Sequence, residues 1–201
     1  MSRLVNSLRP LRYLQDASAA AARSARQPTS FQVFRDVPEL HQLRRKLVQN
    51  DRTIGFVPTM GALHEGHLSL IQEAARENTD VFVSIYVNPT QFGVNEDLSS
   101  YPRTWDGDVK KLEKLNEELG NLGAGTGRIT AIFAPTSKVM YPTLPPSSEI
   151  DGHGSFVDIT PLARNLEGVS HPVFFRGVAT ICMKKFNMTT PDRVYFGQKD
   201  V

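Results

Sequence analysis

The spacing of apolar residues alternates between two patterns along the chain. From residue 31 onward, apolar residues at 37, 40, 43 and 47 recur with helical spacing, and the basic residues fall on the opposite side. The run IGFVPT, residues 54–59, predicts a short buried strand that ends near Pro58. From His67, HLSLIQEAARENT again has helical spacing. VFVSIYV, residues 81–87, is continuously apolar, which is typical of a strand that a parallel sheet buries on both faces.

The same alternation continues to the end of the chain. Strand, helix and strand within about 35 residues form a βαβ unit. WDGDVKKLEKLNEEL predicts a further helix and ITAIFAP a further strand, and GVATICMKKFNM and RVYFG repeat the pair. No sequence repeat accompanies this pattern. The alternation of strands and helices predicts an α/β fold with a doubly wound, mostly parallel Rossmann-like sheet. Such a sheet binds ligands at the carboxyl ends of its strands.

Composition is consistent with one globular domain preceded by a short leader. With 201 residues, 40% of them hydrophobic, the chain can bury a substantial core. No apolar run approaches the roughly 18 residues of a membrane span, so no membrane partner is expected. The single cysteine, Cys182, has no second cysteine to pair with, and its apolar surroundings predict a buried structural thiol.

The charge is distributed unevenly. Residues 1–27 contain five arginines and one acidic residue, Asp16, so the net charge of +2 leaves the rest of the chain slightly acidic. The charge of this part of the chain therefore gives no reason to expect binding to nucleic acid. Residues 1–30 form a leader that is either a transit peptide, being rich in Arg, Ser and Ala, or a disordered tail. The expected location is cytoplasmic, or mitochondrial if the leader is a transit peptide.

The stretch PTMGALHEGHLSL, residues 58–70, is the first candidate site. It leaves the end of the first predicted strand, turns through Pro58, Thr59 and Gly61, and enters a helix near His64. The N–H groups and dipole of a helix N-terminus favour anionic oxygens. Gly61 and Gly66 are predicted to let a ligand approach the backbone closely.

The two histidines of this stretch point to phosphate chemistry. His64 and His67, three residues apart, share one helix face and can donate hydrogen bonds to phosphate oxygens as charge builds in a transition state. HEGH lacks the HExxH spacing, and no nearby cysteine or third histidine completes a zinc set. No metal held by the protein is therefore expected.

Polar residues follow two later strands as well. In NPTQF, Asn88 and Gln91 offer neutral donors and acceptors for the hydroxyls and carboxylate of a small acid. In FGQKD, Lys199 can reach anionic oxygens, and Asp200 can orient a ribose hydroxyl, a lysine or a magnesium-bound water. Arg176, just before a predicted helix, is either a further anion contact or a capping or surface residue.

Together these motifs resemble a known family. HxGH after a first strand is similar to the signature of nucleotidyl transferases that include the class I aminoacyl-tRNA synthetases. VPTMGALHEGHLSLI, VSIYVNPTQFGVNEDLSSYPRT, IFAPTSKVMYP, LEGVSHPVFFRGVATICMKKFN and PDRVYFGQKD, in this order, resemble the pantothenate synthetases. That family joins pantoate to β-alanine with ATP. The resemblance runs from Phe31 to the last residue and excludes the leader.

The resemblance implies a mechanism and a set of site residues. Pantoate would attack the α-phosphorus of MgATP to give pantoyl adenylate and pyrophosphate, and β-alanine would then displace AMP. The implied catalytic residues are His67, His64 and Lys199. Gln91 and Asn88 would bind pantoate or β-alanine, and Mg²⁺ would be carried by ATP. The family further implies a homodimer. The ATP site would comprise Pro58, Thr59, Met60, Gly61, Ala62, Leu63, His64, Glu65, Gly66, His67, Gly197, Gln198, Lys199 and Asp200.

The chain departs from the family pattern in several places. Phe174 and Phe175 replace a common His-Phe pair, Gln198 replaces a common Glu, and residues 116–128 resemble an inserted flexible surface loop. Family members continue beyond FGQKD into a small C-terminal lid domain, so residues 31–201 would form an incomplete ATP- and pantoate-binding domain. Two alternatives remain: another HxGH adenylyltransferase, or a fragment without catalysis that binds nucleotide or pairs with another subunit.

Overall fold

A computed structural model describes residues 31–91, 101–102, 104–142, 155–160 and 174–198. The predicted leader, residues 1–30, lies outside these ranges, as do Lys199 and Asp200. The predictions for the leader, for the cellular location and for these two residues therefore stay predictions.

The described residues form five strands and five α-helices. The strands are β1 (Gln32–Phe34), β2 (Ile54–Thr59), β3 (Asp80–Ile85), β4 (Arg128–Phe133) and β5 (Arg193–Val194). The helices are α1 (Val37–Gln49), α2 (Glu65–Glu77), α3 (Trp105–Asn121), α4 (Ser137–Met140) and α5 (Phe174–Thr189), with a 3-10 turn at Pro89–Gln91. No helix among them is both long enough and apolar enough to cross a membrane.

All five strands are parallel, in the order β1-β4-β3-β2-β5. From β2 the chain winds through β3 to β4 in one direction, then crosses back to place β5 on the other side of β2. The predicted doubly wound parallel α/β fold is confirmed. In such sheets the reversal opens a crevice at the carboxyl ends of the strands. Here that crevice lies beside the end of β2.

The sheet buries apolar residues on both faces because successive strand residues point to opposite sides. Phe56, Phe82 and Phe133 belong to a cluster with residues of α1 and α5, whereas Val57, Val83 and Ile132 belong to a cluster with residues of α2 and α3. Helices therefore cover the sheet on both sides. Cys182, predicted to be buried, is half-buried and packs against the first of these clusters.

The predicted loop at residues 116–128 is wrong over most of its length. Helix α3 continues to Asn121 and β4 begins at Arg128, so only residues 122–127 connect them. Asn116 is completely buried, and its side chain both accepts from the N–H of Ile129 (2.8 Å) and donates to its carbonyl (3.1 Å). This pair of bonds ties the last turns of α3 to the start of β4.

One helix start agrees with prediction and another differs. Helix α2 begins at Glu65 with His64 as its N-cap, as the predicted entry near His64 requires, whereas α5 begins at Phe174, three residues before the predicted GVATICMKKFNM. Arg176 therefore lies inside α5, not before it. In α2 the apolar spacing starts later than the helix itself, because Glu65 and Gly66 are exposed and carry no apolar signal.

Candidate functional site

The turn between β2 and α2 has an unusual backbone. Gly61 and Ala62 adopt φ values of +94° and +50°, in the left-handed region that is costly for a residue with a Cβ atom. The turn is held from inside the protein: the N–H of Gly61 donates to the Thr59 hydroxyl (3.2 Å), and those of Ala62 and Leu63 donate to the carboxylate of Asp108 (2.9 and 2.8 Å). These bonds bring the chain from the end of β2 to the first turn of α2.

The structure places His64 and His67 together at the start of α2. His64 is the N-cap residue, and its Nδ1 accepts from the N–H of Gly66 (3.1 Å). The Nδ1 of His67 in turn accepts from the N–H of His64 (3.4 Å), and the ring centroids are 4.1 Å apart. A nitrogen that accepts a hydrogen bond carries no proton, so each neutral ring has its proton on Nε2. His64 is exposed and His67 half-buried, so ligand can approach the pair.

Several N–H groups of the turn and of the first turn of α2 are engaged within the protein, and the predicted anion contact at this helix start stays a prediction. The N–H groups of Gly61, Ala62, Leu63, His64 and Gly66 all donate to side chains of this protein. The glycines also serve internal contacts. A Cβ atom at Gly66 would lie 2.9 Å from the His64 ring, and one at Gly61 would lie 3.3 Å from Asp108. These five amides are engaged, and His64 is the imidazole that the turn exposes to solvent.

A second group of polar residues follows β3. Asn88 is buried, and its side chain makes five hydrogen bonds. It donates to Gln91 Oε1 (3.2 Å) and to the Gly177 carbonyl (3.3 Å), and it accepts from the Tyr141 hydroxyl (2.8 Å) and from the hydroxyl (3.0 Å) and N–H (3.4 Å) of Thr90. Its predicted contact with substrate stays a prediction. What the structure shows is that Asn88 holds the 3-10 turn that carries Gln91.

The two candidate groups meet through a direct contact. The Gln91 amide donates to the Met60 sulfur (3.1 Å), joining the end of the 3-10 turn to the residue that follows β2. Because β2 and β3 are neighbours in the sheet, their carboxyl ends lie side by side. The turns that carry Met60 and Gln91 therefore lie at neighbouring carboxyl ends of the sheet, and their predicted binding roles stay predictions.

The remaining predicted residues occupy the same edge or its surroundings. Pro58 is half-buried and Glu65 is exposed in the first turn of α2. The chain beyond β5 runs on to a half-buried Gly197 and an exposed Gln198, and β5 pairs with β2. Lys199 and Asp200 lie beyond the described residues. The roles assigned to all these residues stay predictions.

Arg176 has partners outside the candidate site. Its guanidinium carbon lies 4.4 Å from the centre of the Phe156 ring, and its Nε lies 3.7 Å from a carboxylate oxygen of Asp158. The residue ties α5 to the segment 155–160. The structure thus gives Arg176 a cation–π and ion-pair role that neither sequence alternative described.

Lys185 was not identified from the sequence. Its side chain is buried, and its ammonium donates to the carbonyl of Thr59 (3.3 Å), beneath the end of β2. Burial lowers the pKa of Lys185 to about 8, and Cys182 acts in the opposite direction. Position 185 lies four residues after Ile181 on the buried face of α5, so its spacing did contain a signal of burial.

The sheet is parallel and doubly wound, and a helix capped by a histidine begins at the end of its strand β2. These features define an α/β protein of the HxGH nucleotidyl-transferase type. The family model of pantoate-beta-alanine ligase matches residues 32–201. The chain belongs to that family.

Individual relatives belong to the same family. The chain is 45% identical over 172 residues to the pantoate–beta-alanine ligase of Saccharomyces cerevisiae, covering 84% of this chain and 52% of the relative. It is 50% identical over 147 residues to the pantothenate synthetase of Roseiflexus castenholzii, covering 73% and 46%. The chain thus spans about half the length of these relatives.

Solved structures give the same result. Pantothenate synthetase from Thermus thermophilus superimposes with a TM-score of 0.68 at 37% identity, covering 85% of this chain and 53% of that one. The ligase from Francisella tularensis, solved with β-γ ATP and β-alanine, gives a TM-score of 0.67 at 34% identity, covering 82% and 56%.

Proposed function

We propose that this chain provides the nucleotide- and pantoate-binding part of an ATP-dependent ligase that condenses pantoate with β-alanine. The observation that carries the proposal is the contact between Gln91 and Met60, which joins a neutral amide site to the histidine-bearing turn. A small hydroxy acid held by amides can then lie beside a nucleotide held by imidazoles. The family membership and the nucleotide-bound relative support the same assignment.

The proposed reaction proceeds in two displacements. A carboxylate oxygen of pantoate bonds to the α-phosphorus of ATP while the bond from that phosphorus to pyrophosphate breaks. The β-alanine nitrogen then bonds to the acyl carbon of pantoyl adenylate, AMP leaves with its oxygen, and the nitrogen loses a proton to the surrounding water. Neither step requires a nucleophile from the protein, so catalysis rests on positioning and on stabilisation of charge.

The residues at the sheet edge suit these tasks. His64 and His67 carry Nε2 protons that can donate to phosphate oxygens, and their Nδ1 bonds to backbone N–H groups fix both rings before substrate binds. Gln91 supplies a neutral amide for pantoate, and the site residues Gly197 to Asp200 are assigned to ATP by the resemblance.

Mg²⁺ is assigned to the ATP phosphates. Within the described parts of the chain, no group of three or more His, Cys, Asp or Glu could hold a metal ion. Oxygen-rich phosphates with water are ligands that Mg²⁺ prefers. We also propose a homodimer, for which the support is the family resemblance alone.

Activity is tested best in an extended chain, since the relatives are about twice as long as the matched region. We would fuse the C-terminal half of the Saccharomyces cerevisiae relative after Val201 and measure pantoate-dependent exchange of labelled pyrophosphate into ATP. Exchange should require ATP, Mg²⁺ and pantoate, and pantothenate and AMP should form when β-alanine is added.

Two controls make this experiment decisive. The unextended 201-residue chain should bind MgATP in calorimetry, which tests the part of the site that it contains. Lactate in place of pantoate should give no exchange, because it shares the 2-hydroxy acid group but lacks the terminal hydroxyl and the dimethyl-substituted carbon of pantoate. Equal AMP release without pantoate, or with lactate, would refute the proposal.

A further inference from the structure

The carboxylate of Asp108 lies beneath the histidine-bearing turn although it belongs to a different βα unit. Asp108 is the fourth residue of α3 and is 1% exposed. One of its oxygens accepts from the N–H of Leu63 (2.8 Å), and the other accepts from the N–H of Ala62 (2.9 Å) and the Thr104 hydroxyl (3.0 Å). A buried carboxylate with three donors is strongly held in place.

A second contact from α3 fixes the same peptide. Lys111, one turn after Asp108, donates from its ammonium to the carbonyl of Leu63. Residue 63 is therefore held at its N–H by an acid and at its carbonyl by a base, both from α3. The next residue is His64, the N-cap of α2.

The turn needs this support because its backbone is strained. Ala62 has a φ of +50°, a conformation that costs an L-residue with a Cβ atom about 1–2 kcal/mol. Hydrogen bonds to a charged acceptor offset that cost and are stronger than bonds between neutral groups. Without them, the turn would relax to an extended form and the two imidazoles would lose their common orientation.

We propose that Asp108 is the positioning residue of the nucleotide site, which holds the turn at residues 61–63 so that His64 and His67 face the phosphates. This inference rests on the proposed function, because it assigns ATP to the histidine pair. Asp108 acts through the backbone of the turn and need not touch the nucleotide.

The test uses the 201-residue chain with Asp108→Asn. The variant keeps the size of the side chain and one acceptor oxygen, but its NH₂ group meets the second N–H and cannot accept from it. Asp106→Asn is the matched control, since Asp106 lies on the same helix, is exposed, and loses the same charge.

Three measurements are made on each protein. Urea unfolding gives the folded fraction, amide hydrogen exchange reports on Ala62 and Leu63 with Ile71 as a core reference, and calorimetry gives the affinity for MgATP. In Asp108→Asn, exchange at residues 62 and 63 should accelerate by about tenfold or more relative to Ile71, and MgATP affinity per folded molecule should fall by about tenfold. Asp106→Asn should match the wild type in both.

The outcomes separate this inference from the proposed function. Failure of the wild-type chain to bind MgATP would remove the proposed function, whereas the exchange data would still show whether Asp108 holds the turn. Unchanged exchange at residues 62 and 63 would overturn the positioning role. So would a destabilised Asp108→Asn variant whose folded fraction binds MgATP as the wild type does.

Discussion

Gly177 of helix α5 lies directly against the backbone carbonyl of Thr90, so closely that a Cβ atom at position 177 would overlap the carbonyl oxygen. The carbonyl of Gly177 also accepts from the Asn88 amide (3.3 Å). The helix therefore rests on the 3-10 turn that carries Gln91, and the absence of a side chain at residue 177 permits that approach.

Gly177→Ala should separate α5 from the 3-10 turn. Inserting a methyl group into a packed contact typically costs about 1–3 kcal/mol of stability, and the turn bearing Gln91 should shift with it. Gly107→Ala is the control, because no atom lies near a Cβ at that exposed position of α3, and it should stabilise the protein by about 0.5–1 kcal/mol. Urea unfolding of both variants checks the prediction, and equal stabilities would contradict it.

His64→Asn separates helix capping from chemistry. Asparagine is among the best N-cap residues, so the variant should unfold within about 0.5 kcal/mol of the wild type, whereas its loss of the imidazole should slow adenylation in the extended chain. His64→Ala should lose both the cap and the imidazole. Unfolding curves and single-turnover adenylation on the same samples distinguish them, and full adenylation activity in His64→Asn would exclude a role for the ring.

His67→Ala should lower kcat for pantoyl adenylate formation more than it weakens ATP binding. Losing one preorganised donor typically reduces the rate by about 10²- to 10³-fold. The variant with both histidines replaced should lose less than the sum of the single effects, because the rings act as one cluster. A destabilised His67→Ala whose folded fraction retains the wild-type rate would end the catalytic interpretation.

Elements with a strong local pattern were predictable from the sequence, and those that depend on distant partners were not. The apolar run of β2 and the helical spacing of α3 report burial within the segment itself, and both were predicted close to their observed bounds. β1 and α4 were missed because three or four residues are too few to show a period. At the site, the spacing of His64 and His67 predicted their proximity. Asp108, 45 residues beyond Leu63, could not be placed, because no local pattern reveals which atoms a buried acid will meet.

Stability should depend on pH through Lys185. Below about pH 8 its ammonium is charged in the folded and unfolded states, and the cost of its burial is fully present. As pH rises from about 8 to the ordinary value of 10.5, the folded protein has lost a proton that the unfolded chain still binds, so the free energy of unfolding increases. The gain should approach about 3 kcal/mol before Tyr86, whose pKa burial raises to about 12, begins to oppose it above pH 10.

Lys185→Met is the test of that dependence. The variant should be more stable than the wild type at pH 7 and should lack the rise in stability between pH 8 and 10, because it carries no buried charge. Loss of the Lys185 ammonium does not leave the Thr59 carbonyl without a hydrogen bond, because that carbonyl also accepts from the N–H of Tyr86 (3.2 Å). Urea unfolding is measured against pH in proteins that also carry Cys182→Ser, which removes titration of the thiol. If stability changes with pH in the same way with Lys185 and with Lys185→Met, the prediction is refuted.

Arg52 should be essential for burying Asp80. The carboxylate of Asp80 is fully buried at the start of β3 and lies 2.7 Å from the Arg52 guanidinium; desolvation nevertheless raises the Asp80 pKa. Arg52→Ala would leave this charge without its ion pair and should cost about 3–5 kcal/mol. Adding Asp80→Asn should recover part of the loss.

An exposed ion pair provides the comparison. Arg76 and Glu73 on α2 lie 2.8 Å apart but are largely solvated, so Arg76→Ala should change stability by less than about 0.5 kcal/mol. Thermal unfolding of Arg52→Ala and Arg76→Ala under the same conditions tests this comparison. Similar losses of stability in the two variants would show that burial does not determine how much an ion pair contributes to stability.

The bonds from Asp108 to the turn at residues 61–63 limit how this site can be transferred between proteins. Residues 54–77 contain the strand, the turn and both histidines, yet the acid and the base that hold Ala62 and Leu63 are on α3. A graft of that segment alone onto another parallel α/β scaffold would carry the motif without its conformation. The smallest portable cassette is the pair of consecutive βα units, residues 54–121, because only that length brings the acid and the base together with the peptide that they hold.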